Sequence, residues 1–403
     1  MIRKLFLFLS LMALVYFGFG FYLATFNISI FDPTQENPPH PLFHDYRGVS
    51  HVVTTHSKGS LEPSQILLDA ALAKLNFVIF TDLNLIERPY NISGYHGDVF
   101  ALTNQKLSYL DSHILVYSAN SDFRFDSMSS AHAQLHHHLF EEKTEKRSFT
   151  TVLAHPFKRH HRWSGDYPPG LDGIEVINLR QLWQEGWIND KPNFIWSLFT
   201  FPFNPSISLL RLIREPKKEL QLWDELNKKS RTIGFLGNET TARIFKFLGI
   251  NFTFLSYEKS FSFASNHILL PSELTGHAGT DRKKIFDSLE KGQFYLAFDS
   301  LGSSQGFASY VECDGDIRYL MGANVSGKNC KLKVDLPKNL IVPLSVEIYR
   351  DGEVFFVSNS VRSEIELEEP GTYRVVVRIQ PRLPIPDTKR WFGWIYSNPF
   401  YFK

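Results

Sequence analysis

The chain has 403 residues, more than one hydrophobic core usually serves, so two folded domains plus an accessory segment are expected. Its 43 Lys and Arg balance 42 Asp and Glu, and a net charge of +1 excludes both the basic footprint of a nucleic-acid binder and an acidic tail. With 43% hydrophobic and 15% aromatic residues the composition supplies large cores and excludes extensive disorder.

Arg3 and Lys4 precede LFLFLSLMALVYFGFGFYLATF, an apolar run of about the twenty residues that a helix needs to cross a bilayer. Basic residues on its N-terminal side favour a cytoplasmic N-terminus. The run is long for the core of a signal peptide and no small-x-small cleavage site follows it, so residues 1–26 read as a single-pass membrane anchor, with a cleaved signal peptide as the rival. Either way residues 27–403 are expected outside the cytoplasm, in a periplasm or at the cell surface. Residues 27–45, polar and rich in Pro, read as a linker.

From 46 to 305 short apolar runs alternate with helical patterns. VSHVVTTH leads into the helix PSQILLDAALAKL and the strand FVIFTD; then come SHILVYSA, a His-rich helix, TTVLAHPF, GIEVIN, the helix KKELQLWDELNKK, the strand TIGFLG, a helix over TTARIFKFL, the helix DRKKIFDSLEKG and FYLAFDS. That alternation predicts an α/β domain with a parallel sheet, plausible as a barrel. From 306 to 403 the helical periods stop, and CKLKVDLP, LSVEIYRDG, EVFFVSN, SEIELEEPG and TYRVVVRIQ predict a small all-β sandwich with Asp-Gly and Pro-Gly turns. Cys313 and Cys330, the only two cysteines, lie on what read as neighbouring strands; a disulfide and a pair of unbonded core thiols are both open.

Active sites on parallel barrels lie where strands end. Reading those positions together collects His51, His56, Asp82, His113, His155 and Glu175, the composition of a Zn, Mn or Fe site for hydrolysis. KRHHRW, just after His155, offers Lys158, Arg159 and Arg162 to an anionic ligand beside the barrel mouth. His132 and His136 stand four apart on a helix, a metal-binding spacing whose ordinary reading is a solvated helix face. The aromatic stretch from Phe194 to Phe203, broken by Pro202 and too short to span a bilayer, reads as a lid packed over the barrel mouth, with a segment dipping into the membrane interface as the alternative.

HVVTTHSKGSLEPSQILLDAALAKLNFVIFTDLN, SHILVYS, LAHPF and GLDGIEVIN, in that order, resemble the PHP (polymerase and histidinol phosphatase) domain, and the closing WFGWIYSNPFYF resembles the β-sandwich attached to some exported members. The resemblance implies a distorted (β/α)7 barrel with a multinuclear divalent metal centre that hydrolyses phosphoesters. It carries His51, His113 and His155 over as metal ligands, with Asp82 and Glu239 as the acids of the site. The departures are as telling. Val53 stands for the second His of the opening H-x-H, Leu83 for the His of T-D-H, Lys58 for the acid of S-D-G, and Thr241 for a late His; the bridging Glu falls near Leu107, where none exists. What is implied is therefore a membrane-anchored PHP-like protein with a degraded metal site, holding one ion of Mn, Zn or Fe or none. Its activity would be weak or lost, and a non-catalytic envelope binding module is the alternative.

Overall fold

The computed structural model describes the chain except at positions 1, 37, 88–91, 121–122, 142–148, 243, 248–249, 254 and 386, and gives the backbone alone for 244–247 and 250–253. Seven strands close a barrel: β1 (His44–Val52), β2 (Phe77–Leu83), β3 (Val99–Tyr109), β4 (Ser112–Tyr117), β5 (Thr150–Leu153), β6 (Gly173–Asn178) and β7 (Ile233–Gly237). They follow one another around the cylinder in chain order, and β7 returns to β1 through the Ser50–Gly237 pair. Neighbours run parallel except at β4, which is antiparallel to both β3 and β5.

The reversed strand changes how the mouth is built. Six strands reach it with their C-terminal ends, while β4 reaches it with its beginning, so His113, second in β4, arrives at the same end as His155 just past β5. Strand β3 was hidden in the sequence because TNQK reads as loop. In the barrel wall Thr103, Asn104, Gln105 and Lys106 are all buried.

Helices Pro63–Leu72, Met128–Phe140, Lys217–Lys229 and Ala278–Lys291 form where the apolar period is helical. The first has Pro at its start and a reciprocal Glu62–Gln65 capping box, and buries Ile66, Leu67 and Ala70. On the His-rich helix His132 Nε2 lies 2.9 Å from the Ser108 carbonyl and His136 Nδ1 3.1 Å from the Tyr109 hydroxyl, so both rings fasten the helix to β3 and do not form a metal pair. The helix expected over TTARIFKFL is instead a hairpin of strands Ile244–Phe247 and Ile250–Thr253, in which FKF and INFT alternate with period two.

The barrel wall continues into the C-terminal part. Strand β8 (Ser265–Leu270) runs antiparallel to the first half of β1, β9 (Phe294–Ala297) pairs with β8, and strand Phe392–Ser397 pairs with β9. A separate four-stranded sheet holds Ala308–Cys313, Ile317–Leu320, Lys331–Asp335 and Arg362–Glu366. Cys313 and Cys330 form a disulfide, one register step beyond the Glu312–Lys331 pair. The Pro-rich linker is not a free tether: Ile30 and Phe43 are buried and Phe31 bridges to Leu340.

Helix Ile2–Ala24 is long and apolar enough to cross a membrane. The aromatic stretch does not cover the barrel mouth. It folds into helices Lys191–Thr200 and Pro205–Leu212, which pack against the N-terminal helix: Tyr16 donates to the Phe199 carbonyl at 2.9 Å, and the Asn204 amide donates to the carbonyls of Leu23 and Phe26.

Candidate functional site

The mouth of the barrel is a cavity of about 220 Å³, and the residues facing it explain the departures seen in the sequence. Val53, Leu83, Lys58 and Thr241, which stand where ligands were expected, all line it, together with His113, Lys106, Lys158, Arg159, Arg180 and Glu239. The positions expected to carry ligands thus share one cavity, and there the side chains are apolar, hydroxyl or cationic.

At the base, His51 is fully buried at the bulge of β1 with φ near 60°, a strained backbone for a residue with a Cβ. His155 and Glu239 share the left-handed region, with φ near 35° and 45°. Three site residues in disfavoured backbone, just past or inside three different strands, mark a geometry imposed by the mouth.

His51 Nδ1 lies 2.7 Å from Glu175 Oε1, and its Nε2 lies 2.9 Å from Lys106 Nζ. Burial lowers the His51 pKa, so the ring is neutral, donating to Glu175 and accepting from Lys106. The other Glu175 oxygen accepts from the His155 backbone N–H and the Asn178 amide, both at 2.8 Å. This grip requires glycine on the neighbouring strand: a Cβ at Gly237 would sit 1.8 Å from Glu175 Oε1.

Lys106 was not anticipated from the sequence. Strands β3 and β4 pair Ser108 with His113, so Lys106 shares the His113 face and Leu107 points the other way, into the hydrophobic core. The strand position that faces the cavity is therefore 106, and it carries an ammonium. Register with β2 sets Lys106 beside Leu83, another of the substituted positions. Desolvation lowers the Lys106 pKa to about 8, opposed chiefly by Glu239.

Glu239 lies with its carboxylate against Lys158 Nζ and 3.4 Å from Arg180. Burial would raise its pKa, but the surrounding bases lower it well below its ordinary value; with the His155 and His51 rings neutral, the charges that keep it ionised are those of Lys158 and Lys106. His113 Nδ1 and His155 Nε2 lie 3.1 Å apart; burial pushes His113 down to about 3 and His155 well below its ordinary value, so both rings are neutral. The His161 ring lies tilted against that of His113, with centroids 4.4 Å apart.

The structure thus brings His51, His113, His155 and Glu239 together, and with them Lys158 and Arg159. Three of the expected residues stand aside, the first being His56, whose Nε2 lies 3.7 Å from the Glu62 carboxylate and which does not line the cavity. Asp82 accepts from the Thr54 N–H and hydroxyl at 2.8 Å and from the Ser57 hydroxyl at 2.6 Å, which pins the loop after β1. Arg162 lies over the Phe157 ring, 5.4 Å from its centroid.

A divalent ion does not fit this donor set. Both nitrogens of His51 are engaged, the Glu239 carboxylate is held by two cations, His113 and His155 bond each other, and an ammonium stands in the centre. Among the described residues no group of three His, Cys, Asp or Glu side chains is arranged to hold a metal ion. What the arrangement can do is attract an anion, with five Lys and Arg side chains against one carboxylate around the cavity. Two buried polar atoms, His155 Nδ1 and Glu239 Oε2, have no hydrogen-bond partner among the described residues.

No known family model matches the chain, and neither does any curated protein. Among solved structures the chain is similar to a two-domain protein from Bacteroides vulgatus ATCC 8482 containing a predicted PHP-like metal-dependent phosphoesterase. The TM-score is 0.40 and the identity 10%, over 92% of this chain and 99% of that one, too distant to assign any residue a role.

Proposed function

We propose that the chain is a membrane-anchored, PHP-like barrel protein that binds a phosphate ester or similar anion outside the cytoplasm and does not hydrolyse it. The observation that carries this reading is Lys106 Nζ, 2.9 Å from His51 Nε2 at the base of a cavity that Val53, Leu83 and Thr241 also face. In a site where the resemblance expects metal ions, an ammonium supplies fixed positive charge without a coordinated water to activate. Lys58 and Arg159 at the rim, and Lys158 and Arg180 deeper in, favour an anion with two or more charges.

Metal analysis and calorimetry on the purified chain test this together. Mn, Zn and Fe are expected well below stoichiometric, and glycerol 3-phosphate is expected to bind, more weakly as salt rises, with affinity falling about tenfold in Arg159→Ala. Stoichiometric metal accompanied by metal-dependent hydrolysis of an aryl phosphate would overturn the reading, and so would failure to bind any phosphate ester.

A further inference from the structure

We infer that the anion taken by this cavity is the phosphate group of a membrane lipid, presented by the leaflet in which helices Lys191–Thr200 and Pro205–Leu212 lie. The inference rests on the anion-binding reading above and adds the source of the anion.

The two helices are the first support. Ile195, Trp196, Leu198 and Phe199 are each more than 40% exposed, a patch that water would not tolerate well and that continues directly from the N-terminal helix. Phe19 and Trp196 rings lie 5.6 Å apart, and the Phe203 ring fills the space over Gly20, where a Cβ would sit 2.4 Å from it. The contacts run from Tyr16 to Leu23, about 12 Å of helix at ~1.5 Å per residue. One leaflet of hydrocarbon is about 15 Å deep. A helix that crosses the bilayer therefore carries these aromatic side chains into the outer leaflet with it, and lipid covers the exposed face. Cations accompany these aromatic rings: Arg211 lies 5.8 Å from the Trp196 centroid, Lys259 5.6 Å from that of Phe201 and Lys191 5.9 Å from that of Trp187. Basic and aromatic side chains in company are the usual furnishing of the headgroup layer.

The second support is the closeness of this pair to the cavity. Helix Leu179–Asn189 leaves the end of β6 and lines the cavity with Arg180 and Gln184. Two residues on, about 3 Å of rise, Gly186 faces Leu212 and Phe194, which a Cβ there would meet at 3.7 and 3.8 Å. One helix is thus both the wall of the cavity and the seat of the membrane-embedded pair. Lys58 and Arg159, both exposed and lining that cavity, are the cations an arriving headgroup would meet first. The surplus of positive charge in the cavity suits the doubly charged phosphomonoester of a lipid.

The full-length chain in nanodiscs of phosphatidylcholine with a minor fraction of phosphatidic acid provides the test, with phosphatidic acid retained through mild detergent extraction counted by mass spectrometry. A stoichiometric amount is expected, at least about tenfold less in Lys58→Ala/Arg159→Ala, whose exposed side chains are not needed for folding. Trp196→Ser/Phe199→Ser is expected to lose retained lipid while still binding glycerol 3-phosphate in solution. Equal retention by the rim variant would mean annular lipid on the N-terminal helix and would overturn the inference. Binding of glycerol 3-phosphate without retention of phosphatidic acid would overturn it too, leaving the anion site in place, whereas binding of neither overturns both readings.

Discussion

Lys106 and His51 come from different strands of the barrel and meet at 2.9 Å, Nζ to Nε2, with Glu175 on the far side of the ring. A lysine this deep is tolerated because the ring accepts from it and Glu239 and Glu175 supply opposite charge nearby. Lys106→Met keeps the stem and removes the ammonium, leaving His51 Nε2 buried without a partner. A loss of about 1–3 kcal/mol is expected in denaturant unfolding, together with weaker anion binding. The Lys106 pKa of about 8 adds a sign: the charge exists below that value, so anion affinity of the native chain should fall as pH rises past 8, and the fall should flatten in Lys106→Met. A pH profile identical in both would refute the placement of Lys106 charge in the binding site.

Restoring the ligands is expected to restore metal. Val53→His, Leu83→His, Lys106→Glu and Thr241→His put nitrogen and oxygen donors at positions that already face one cavity. The carboxylate belongs at 106, since Leu107 lies in the core. Without metal the new Glu adds to Glu175 and Glu239 and should destabilise the chain; Mn or Zn should then raise the melting temperature by mass action. A variant that folds yet gains no thermal stability from either ion would show that the cavity does not have the shape of a metal centre.

Much of this was legible in the sequence, and the gaps have physical causes. Alternating runs disclosed six of the barrel strands, and His51, His113 and His155 were found because strand ends gather at one mouth. Strand β3 escaped because its buried stretch is polar on both faces, and the barrel, not local propensity, holds it extended. The reversal of β4 escaped because its turn is Leu110–Asp111 with Leu110 at φ near 51°, where a hairpin normally advertises itself with Gly or Asn. Missing one strand and the direction of the next hid the register, and without register Lys106 could not be told from Leu107. The fate of Phe194–Phe203 depended on a partner nearly two hundred residues away in the chain, which no local pattern records.

A second buried ion cluster lies where β8 and β9 meet β1. His267 stands between Asp45 at 2.9 Å and Asp299 at 3.0 Å, with Arg47, Ser265, Tyr295 and Ser304 completing the surroundings. Burial alone would lower its pKa, but the two carboxylates raise it from 6.5 to about 9. The folded pKa lies above the unfolded one, so this stabilisation is complete below about 6.5 and is lost as pH climbs to about 9, at no more than ~1.4 kcal/mol per unit. Lys106 acts with the opposite sign between about 8 and 10.5, where its lowered pKa makes stability rise with pH. Unfolding measured across pH 6 to 9 is therefore expected to show a decline that His267→Gln abolishes and Lys106→Met does not. A native profile flat across that window would show that His267 does not carry its charge.

The contact between the N-terminal helix and the aromatic helices turns on Gly20. Any side chain there collides with the Phe203 ring, and neighbouring Tyr16 can no longer reach the Phe199 carbonyl if that ring is pushed away. Both native cysteines are joined in the Cys313–Cys330 disulfide, so a new pair reports without interference. Tyr16→Cys with Phe199→Cys puts a thiol in place of each of two rings whose centroids lie 6.3 Å apart, a gap that a short bifunctional thiol reagent can bridge. Treating that variant in membranes with such a reagent is expected to crosslink it readily, and adding Gly20→Leu should reduce the yield several-fold while leaving the chain in the membrane fraction. The leucine enlarges an apolar helix surface without changing its span, so loss of crosslinking means that the aromatic helices have parted from the N-terminal helix. A yield unaffected by Gly20→Leu would show that the aromatic helices are held in place by the barrel alone.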